Sequence, residues 1–291
     1  MPRFFQKLGY FLASAKSAIR RDSSACPSCG HSGADVVDRK YFVTTLRRCR
    51  SCLLLFRSPT TSAAEQAAYY QQDYRQGFTT DLPDEMTLRK YLDSGFRGTE
   101  KDYSPYLGVL EALGGNKGLS LFDLGCSWGY GSWQLKRHGL AVESFEVSTR
   151  RGEFARNKLG LRVHSALSQV TGSFDFFFSA HVLEHLPSVA ETIEFGFRVL
   201  KPGGLFIAFT PNGSDALRIR QPEAWHRLWG QVHPNFLDDV YYRKAFAGKS
   251  FVLGSKPYDL ARLADWSASG QGQIFLDLGG DELLVAARKP L

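Results

Sequence analysis

Phe122-Asp123-Leu124-Gly125-Cys126-Ser127-Trp128-Gly129-Tyr130-Gly131 is the stretch that decides the fold of this chain. The run Leu119–Gly125 is short, apolar and closed by a glycine, which reads as a buried strand entering a tight turn. A helical stretch follows. Glycines at a strand-to-helix turn let a ligand approach the backbone, and the helix start offers free N–H groups. Glu146 ends the next strand-like run, about twenty residues on, where a carboxylate accepts two hydrogen bonds from a ribose diol. Alone, a G-x-x-x-G-x-G turn would serve any nucleotide, or simply a sharp bend.

The sequence around it alternates strand and helix. Leu140–Val147 reads as a strand, Thr149–Leu159 as a helix and Arg162–Ser165 as a short strand. Phe174–Ser179 is a strand, Val189–Leu200 a helix and Leu205–Thr210 a strand, with Phe251–Pro257 and Glu282–Ala287 as two more. Such alternation predicts a parallel α/β sheet. Residues 62–76 and 85–113 read as helical. We expect four segments: a basic amphipathic helix at 1–24, a small cysteine-bearing unit at 25–60, a helical linker or cap at 61–117 and the α/β domain at 118–291.

Composition narrows the class. With 43% hydrophobic and 22% charged residues, the chain is ordinary for a soluble globular protein. The net charge of +7 is uneven: residues 1–60 hold 11 basic and 3 acidic side chains, the remainder 25 and 26. The basicity belongs to the N-terminal fifth, so nucleic acid is not expected as a partner on the strength of charge. Phe4, Leu8, Phe11, Leu12, Ala15 and Ile19 recur at helical spacing among Lys7, Lys16, Arg20 and Arg21. That helix reads either as a peripheral membrane contact or as one that packs on protein. Gln6 and Lys7 interrupt what would otherwise resemble a secretory signal. No run is apolar for the roughly 18 residues a membrane span needs. A cytoplasmic location, at most membrane-surface associated, is expected.

Four of the five cysteines form two pairs, Cys26-Pro-Ser-Cys29 and Cys49-Arg-Ser-Cys52, separated by 19 residues. Two-residue gaps let each pair place both thiolates on one ion, and the intervening chain folds as a hairpin. Four sulfurs close a tetrahedral Zn²⁺ shell, so the site is expected to be structural. His31 then reads as an exposed loop residue.

The whole pattern resembles class I S-adenosylmethionine (SAM)-dependent methyltransferases, in particular a bacterial group with cysteine-paired ribbons at the N-terminus. The resemblance covers roughly residues 26–215. It rests on the first motif, on Phe174-Asp175-Phe176, on His181-Val-Leu-Glu-His185-Leu-Pro, on Arg198-Val-Leu-Lys-Pro-Gly-Gly204-Leu-Phe and on Thr210-Pro-Asn212. Cys52-Leu-Leu-Leu-Phe-Arg-Ser-Pro59 and Tyr69-Tyr70 resemble that group's ribbon exit. The resemblance implies a Rossmann-like seven-stranded sheet and an enzyme binding SAM. It implies SAM contacts from Asp123, Gly125, Cys126, Ser127 and Gly129, from Glu146 and Val147, and from Ala166 and Ala180. It also implies a small-molecule acceptor, with O-methylation of a sugar or surface-polysaccharide intermediate favoured. Two departures stand out. Ser127 replaces the middle glycine of the turn, and Ser165-Ala166-Leu167-Ser168 lacks the acid that meets the adenine amino group, which leaves backbone contacts to hold it.

Methyl transfer depends mainly on holding acceptor and methyl in line, and a hydroxyl acceptor also gains from a base. His181, after the fourth strand, and His233, in Trp229-Gly-Gln-Val-His-Pro-Asn-Phe236, are the catalytic candidates, with a titration expected near the ordinary histidine value of about 6.5. His185 reads as a packing residue. Trp225, Trp229 and Phe236 read as pocket walls or core. His181-x-x-Glu184-His185 also matches a zinc-protease pattern that needs a helix beneath it. Two other readings are an RNA methyltransferase gripping phosphate with the basic ribbon, and a non-catalytic scaffold. Against the first, Ser179-Ala180-His181 stands where base N-methyltransferases carry an Asn/Asp-Pro-Pro-aromatic segment. Against the second stand Gly125, Gly129 and Glu146.

Overall fold

The computed structural model describes residues 25–40, 44–60, 81–230 and 233–291. The expected helices at 3–21 and 62–76, and Tyr69-Tyr70, lie outside the described residues. Among the described residues, twelve strands form two sheets.

The larger sheet has the order β11-β10-β12-β8-β7-β4-β5-β6. Its strands are β4 (Ser120–Leu124), β5 (Ala141–Phe145), β6 (Arg162–His164), β7 (Phe174–Ala180), β8 (Leu200–Pro211), β10 (Phe251–Ser255), β11 (Gln273–Phe275) and β12 (Glu282–Arg288). The strands β4 to β8 in this sheet are parallel, and β12 runs antiparallel between β8 and β10. This is the Rossmann-like methyltransferase sheet expected from the sequence, with a three-residue strand, β11, added in parallel beside β10.

The sheet holds together because its strands are apolar on both faces. Along β8, Leu205, Ile207 and Phe209 face one layer while Phe206 and Ala208 face the other. In β7 a register shift between Phe174 and Phe176 puts Phe174 and Phe177 on one face and Phe176 and Phe178 on the opposite one. On the first face lie α5 (Val189–Val199) and α8 (Asp239–Ala245); on the second lie α2 (Ser104–Ala112), α3 (Tyr130–Arg137) and α9 (Leu260–Ser269). Each such buried side chain contributes about 1.5–3 kcal/mol relative to exposure.

The expected helix at 85–113 is two helices. The first, α1 (Glu85–Ser94), is capped by the Asp84 carboxylate accepting from Thr87 N at 2.7 Å and stops at Gly95, with φ 61°. It carries Leu88 and Tyr91 onto Trp128, next to the glycine turn. Leading from the turn, α3 is followed by β5, α4 (Thr149–Leu159) and β6.

The smaller sheet is antiparallel: β1 (Ala34–Lys40), β2 (Thr44–Cys49), β3 (Leu55–Ser58) and then β9 (Asn235–Phe236). Its last strand comes from beyond β8, after α6 (Asp215–Arg220) and α7 (Pro222–Leu228). The ribbon therefore does not end at residue 60. It borrows backbone partners from the chain beyond β8, with Leu55 opposite Phe236 and Phe56 opposite Asn235. No described helix is long and apolar enough to cross a membrane.

Candidate active site

The glycine turn sits where β4 hands over to α3. Gly125 has φ 77° and Gly129 φ 93°, both left-handed. A Cβ on Gly125 would lie 2.6 Å from Val182, and one on Gly129 2.6 Å from Leu161, so packing requires these glycines as much as ligand approach does. Ser127, in place of the usual glycine, also holds a positive φ of 52°. Its Oγ is buried without a hydrogen-bond partner among the described residues.

Glu146 stands just past β5 and is 6% exposed. Its Oε2 accepts from Ser127 N at 2.9 Å and its Oε1 from Ser148 N at 2.8 Å. Each oxygen keeps a further lone pair for a ribose hydroxyl. Burial raises the carboxyl above its ordinary value, against the two N–H groups and the charge of Arg151. Beneath the turn, Asp123 is buried and accepts from Ser132 Oγ at 2.5 Å, and Ser144 Oγ lies 3.0 Å from the same hydroxyl. Burial lifts Asp123 to about 7, opposed by Ser132 and reinforced by the charge of Glu146. The carboxyl thus braces the turn from below instead of facing a ligand. Cys126 is likewise buried, in the cluster that holds Leu88, Phe96 and Trp128.

Val147 is exposed after β5, and Ala166 and Ala180 are half-buried after β6 and at the end of β7. At the expected adenine edge the backbone N–H groups of Ser165 and Ala166 both donate to Gln169 Oε1, at 3.0 and 3.2 Å. Those donors are engaged, so adenine would have to share or displace them.

Beyond β7 the chain turns sharply at His181, with φ 56°. A 3-10 turn, Leu183–His185, follows. His181 and His185 therefore do not share a helix face, and the protease pattern lacks the geometry it needs. His181 Nε2 pairs with Glu282 Oε2, and its Nδ1 lies 3.4 Å from Glu184 Oε1. Glu282 also accepts from Tyr106 at 2.8 Å and from Tyr258. Burial acts to lower His181, but the hydrogen bonds and charges of Glu184 and Glu282 outweigh it and hold the imidazole at about 10. Glu282 is brought down to about 2 in spite of burial, by His181 and then the two tyrosines. Burial and the Glu282 charge push both phenols up, so they remain donors. The expectation of a neutral base titrating near 6.5 does not fit His181 here, because it is already a cation at neutral pH.

His233 lies on the loop before β9, with its ring 4.8 Å from that of His185. His181 and His233 thus fall in adjacent, differently partnered groups. Trp225, Trp229 and Phe236 do not wall a pocket. They are buried with Leu46, Leu55 and Leu217 at the joint between the ribbon and α6–α7. Sequence reasoning missed Glu282, Tyr106 and Tyr258. The one legible signal was a carboxylate opening the otherwise apolar run Leu283–Ala287.

The four ribbon cysteines converge, their sulfurs within 4.8 Å of one another, with Cys26–Cys52 and Cys29–Cys49 both at 3.5 Å. A Zn–S bond of about 2.3 Å gives a tetrahedral edge of about 3.8 Å, so the spacing fits. The two knuckles repeat each other. Cys26 N donates to His31 O and Gly30 N to Cys26 O; Cys49 N donates to Leu54 O and Leu53 N to Cys49 O. The left-handed residue is Gly30 in one and Leu53 in the other. Hydrogen bonding from Cys52 draws Cys26 to about 5, whereas that bond and burial push Cys52 up and burial raises Cys49. All four ionise together only around a cation. His31 is exposed, as expected.

A family described as a methyltransferase domain matches residues 122–208. The ubiquinone biosynthesis O-methyltransferase of Alkalilimnicola ehrlichii is 28% identical over 151 residues, covering 45% of this chain and 61% of that protein. The enzyme of the same name from Caulobacter vibrioides is 30% identical over 150 residues, covering 47% and 59%. The chain thus spans about three fifths of the length of these relatives. A solved structure of geranyl diphosphate C-methyltransferase from Streptomyces coelicolor A3(2), in complex with Mg²⁺, geranyl diphosphate and S-adenosyl-L-homocysteine, is similar in fold. It is 15% identical, with a TM-score of 0.50 over 78% of this chain and 97% of that one. The names of these relatives come from ubiquinone biosynthesis, not polysaccharide biosynthesis. Residues 122–208 are therefore a methyltransferase domain, set in a class I, SAM-dependent methyltransferase fold.

Proposed function

We propose that this protein transfers the methyl group of SAM to a hydroxyl oxygen of a small-molecule acceptor. The observation that carries the reading is the lock between the Glu146 carboxylate and the Ser127 N–H at the glycine turn, which leaves paired acceptor sites at the ends of β4 and β5 where a ribose diol fits. The oxygen acceptor follows from the names of the relatives. A sugar acceptor, expected from the sequence, is favoured by no residue in the structure.

In this reading Gly125 to Gly129, Glu146 and Val147 hold SAM, with Ala166 and Ala180 at its edges. When bound, SAM supplies the electrophilic methyl. His181, fixed by Glu184 and Glu282, orients the acceptor, and His233 stands further along the same side. Holding the two reactants in line supplies most of the acceleration. The four cysteines bind one structural Zn²⁺. Titration calorimetry with SAM and its demethylated product tests the site. Labelled methyl transfer to catechol, nucleotide-sugar and lipid-linked hydroxyl acceptors tests the chemistry. SAM heat without transfer to any oxygen acceptor would overturn the O-methyl reading, and absence of SAM binding would overturn the whole.

A further inference from the structure

A second group of metal-ligating side chains converges away from the cysteines. Glu184 and His185 lie in the 3-10 turn after His181, and His233 on the loop before β9. One ligand atom from each lies within 4.8 Å of the other two. Glu184 is fully buried; its Oε1 is paired with His181 Nδ1, and its Oε2 has no hydrogen-bond partner among the described residues. The histidines facing it are His181, with Nδ1 at 3.4 Å, and His185, with Nε2 at 3.8 Å. The His181 imidazolium lies against Oε1 alone, and a carboxylate this far from water gains from a second cation beside its other oxygen.

The histidines are held as ligands are held. His233 Nδ1 is 2.6 Å from the carbonyl of Leu228. A carbonyl only accepts, so Nδ1 carries the proton and Nε2 keeps its lone pair. Metal-bound histidines are oriented by this kind of outer hydrogen bond. The rings of His185 and His233 meet edge to face at 65°, converging rather than stacking. Asn235 Nδ2 donates to Leu186 O at 2.6 Å and ties the His233 loop to the turn bearing the other two ligands.

We propose that Glu184, His185 and His233 bind a divalent first-row transition cation, separate from the ribbon zinc. Two imidazoles and one carboxylate suit Zn²⁺, Mn²⁺, Fe²⁺ or Co²⁺, and three protein ligands leave positions for water or another oxygen. Bonds of about 2.0–2.2 Å bring ligand atoms to about 3–3.5 Å of one another, so the cluster closes by roughly an ångström as the ion enters. His181 takes no part, since its Nε2 is engaged by Glu282. That an open position takes the acceptor's hydroxyl oxygen rests on the O-methyl reading above; metal uptake does not.

The test uses the full chain with its ribbon zinc in place, dialysed against a mild chelator and titrated with Co²⁺. About one equivalent should bind, giving visible d–d bands without thiolate-to-cobalt charge transfer. Glu184→Gln and His233→Ala should each weaken it at least tenfold, and the exposed-loop change His31→Ala should not. His233 lies on a loop, so its variant decides the matter if Glu184→Gln fails to fold. No Co²⁺ uptake by the wild type, uptake with thiolate bands, or uptake unchanged in His233→Ala would overturn the site. Calorimetry with SAM on the same samples separates the readings. SAM binding without the Co²⁺ site sinks only the metal, and Co²⁺ binding without SAM sinks only the methyl-transfer reading.

Discussion

Glu146 receives the N–H groups of Ser127 and Ser148, and in the proposed reading the same carboxylate also receives a ribose diol. Glu146→Ala should weaken SAM binding by about 1.5–3 kcal/mol, the range for hydrogen bonds to a charged group. Calorimetry showing unchanged affinity in a folded variant would remove the assignment. Asp123 gives a pH signature. Its folded value of about 7 exceeds the unfolded 3.8, so folding favours the protonated form. Stability is full below pH 3.8 on this account and is lost as pH rises to about 7, by on the order of 4 kcal/mol. In ligand-free protein, Asp123→Asn should abolish that part of the slope in denaturant titrations between pH 4 and 8. A slope unchanged by the substitution would mean that Asp123 is ionised in the fold. For His181, orientation by Glu282 and Glu184 predicts that His181→Ala lowers kcat by about 10²-fold, the scale of a misplaced reactant. The SAM dissociation constant should stay within about twofold, which is under about 0.4 kcal/mol. Full turnover in that variant, measured with the true acceptor, would leave proximity alone as the catalyst.

Elements couple through β9. This two-residue strand completes the ribbon sheet, and the chain just before it carries His233. Arg57 N donates to Pro234 O at 2.7 Å, and Ala190 N, at the start of α5, donates to Ser28 Oγ at 3.0 Å. Arg48, on β2, pairs with Asp238 at 2.6 Å, the buried N-cap of α8, whose carboxylate also accepts from Tyr241 N. Burial raises Asp238, and Arg48 opposes this. Arg48→Ala should therefore strand a buried carboxylate. The expected cost is on the order of 2 kcal/mol, below the 3–5 of a fully buried pair, because Arg48 keeps 22% of its side chain in solvent. Scanning calorimetry would read it as a lowered midpoint. No change would mean that the pair is replaced by water.

For the whole molecule, these joints predict that a metal ion held by the four cysteines is felt beyond the ribbon. Cys26 and Cys49 belong to the same buried cluster as Leu183 and Val189, on the sheet face away from α2 and α9. The glycine turn packs chiefly on α1, α3, α4 and β6, with Gly125 alone against Val182 on the ribbon side. Cys49→Ser, or release of such a metal by a thiol-reactive mercurial, should lower the thermal midpoint and cut the proposed methyl transfer. SAM affinity should stay within about twofold. A more than tenfold loss of SAM binding would show that the ribbon also supports the glycine turn.

The sheet, the glycine turn, Glu146 and the four cysteines were legible in the sequence because each is written locally. A strand that is apolar on both faces, a left-handed turn and a C-x-x-C knuckle all depend on residues a few positions apart. Where a side chain's partner lies far along the chain, the sequence is silent. Glu282, which accepts from Tyr106 and Tyr258, meets His181 only because β12 is inserted antiparallel beside β8, and that pairing turns an expected neutral base into a held cation. The same holds for Trp225, Trp229 and Phe236, which read as pocket walls or core and lie in the core of the joint with the ribbon. Local pattern specified which elements form, and the sheet order, a long-range choice made by burial on both faces, decided which charges meet.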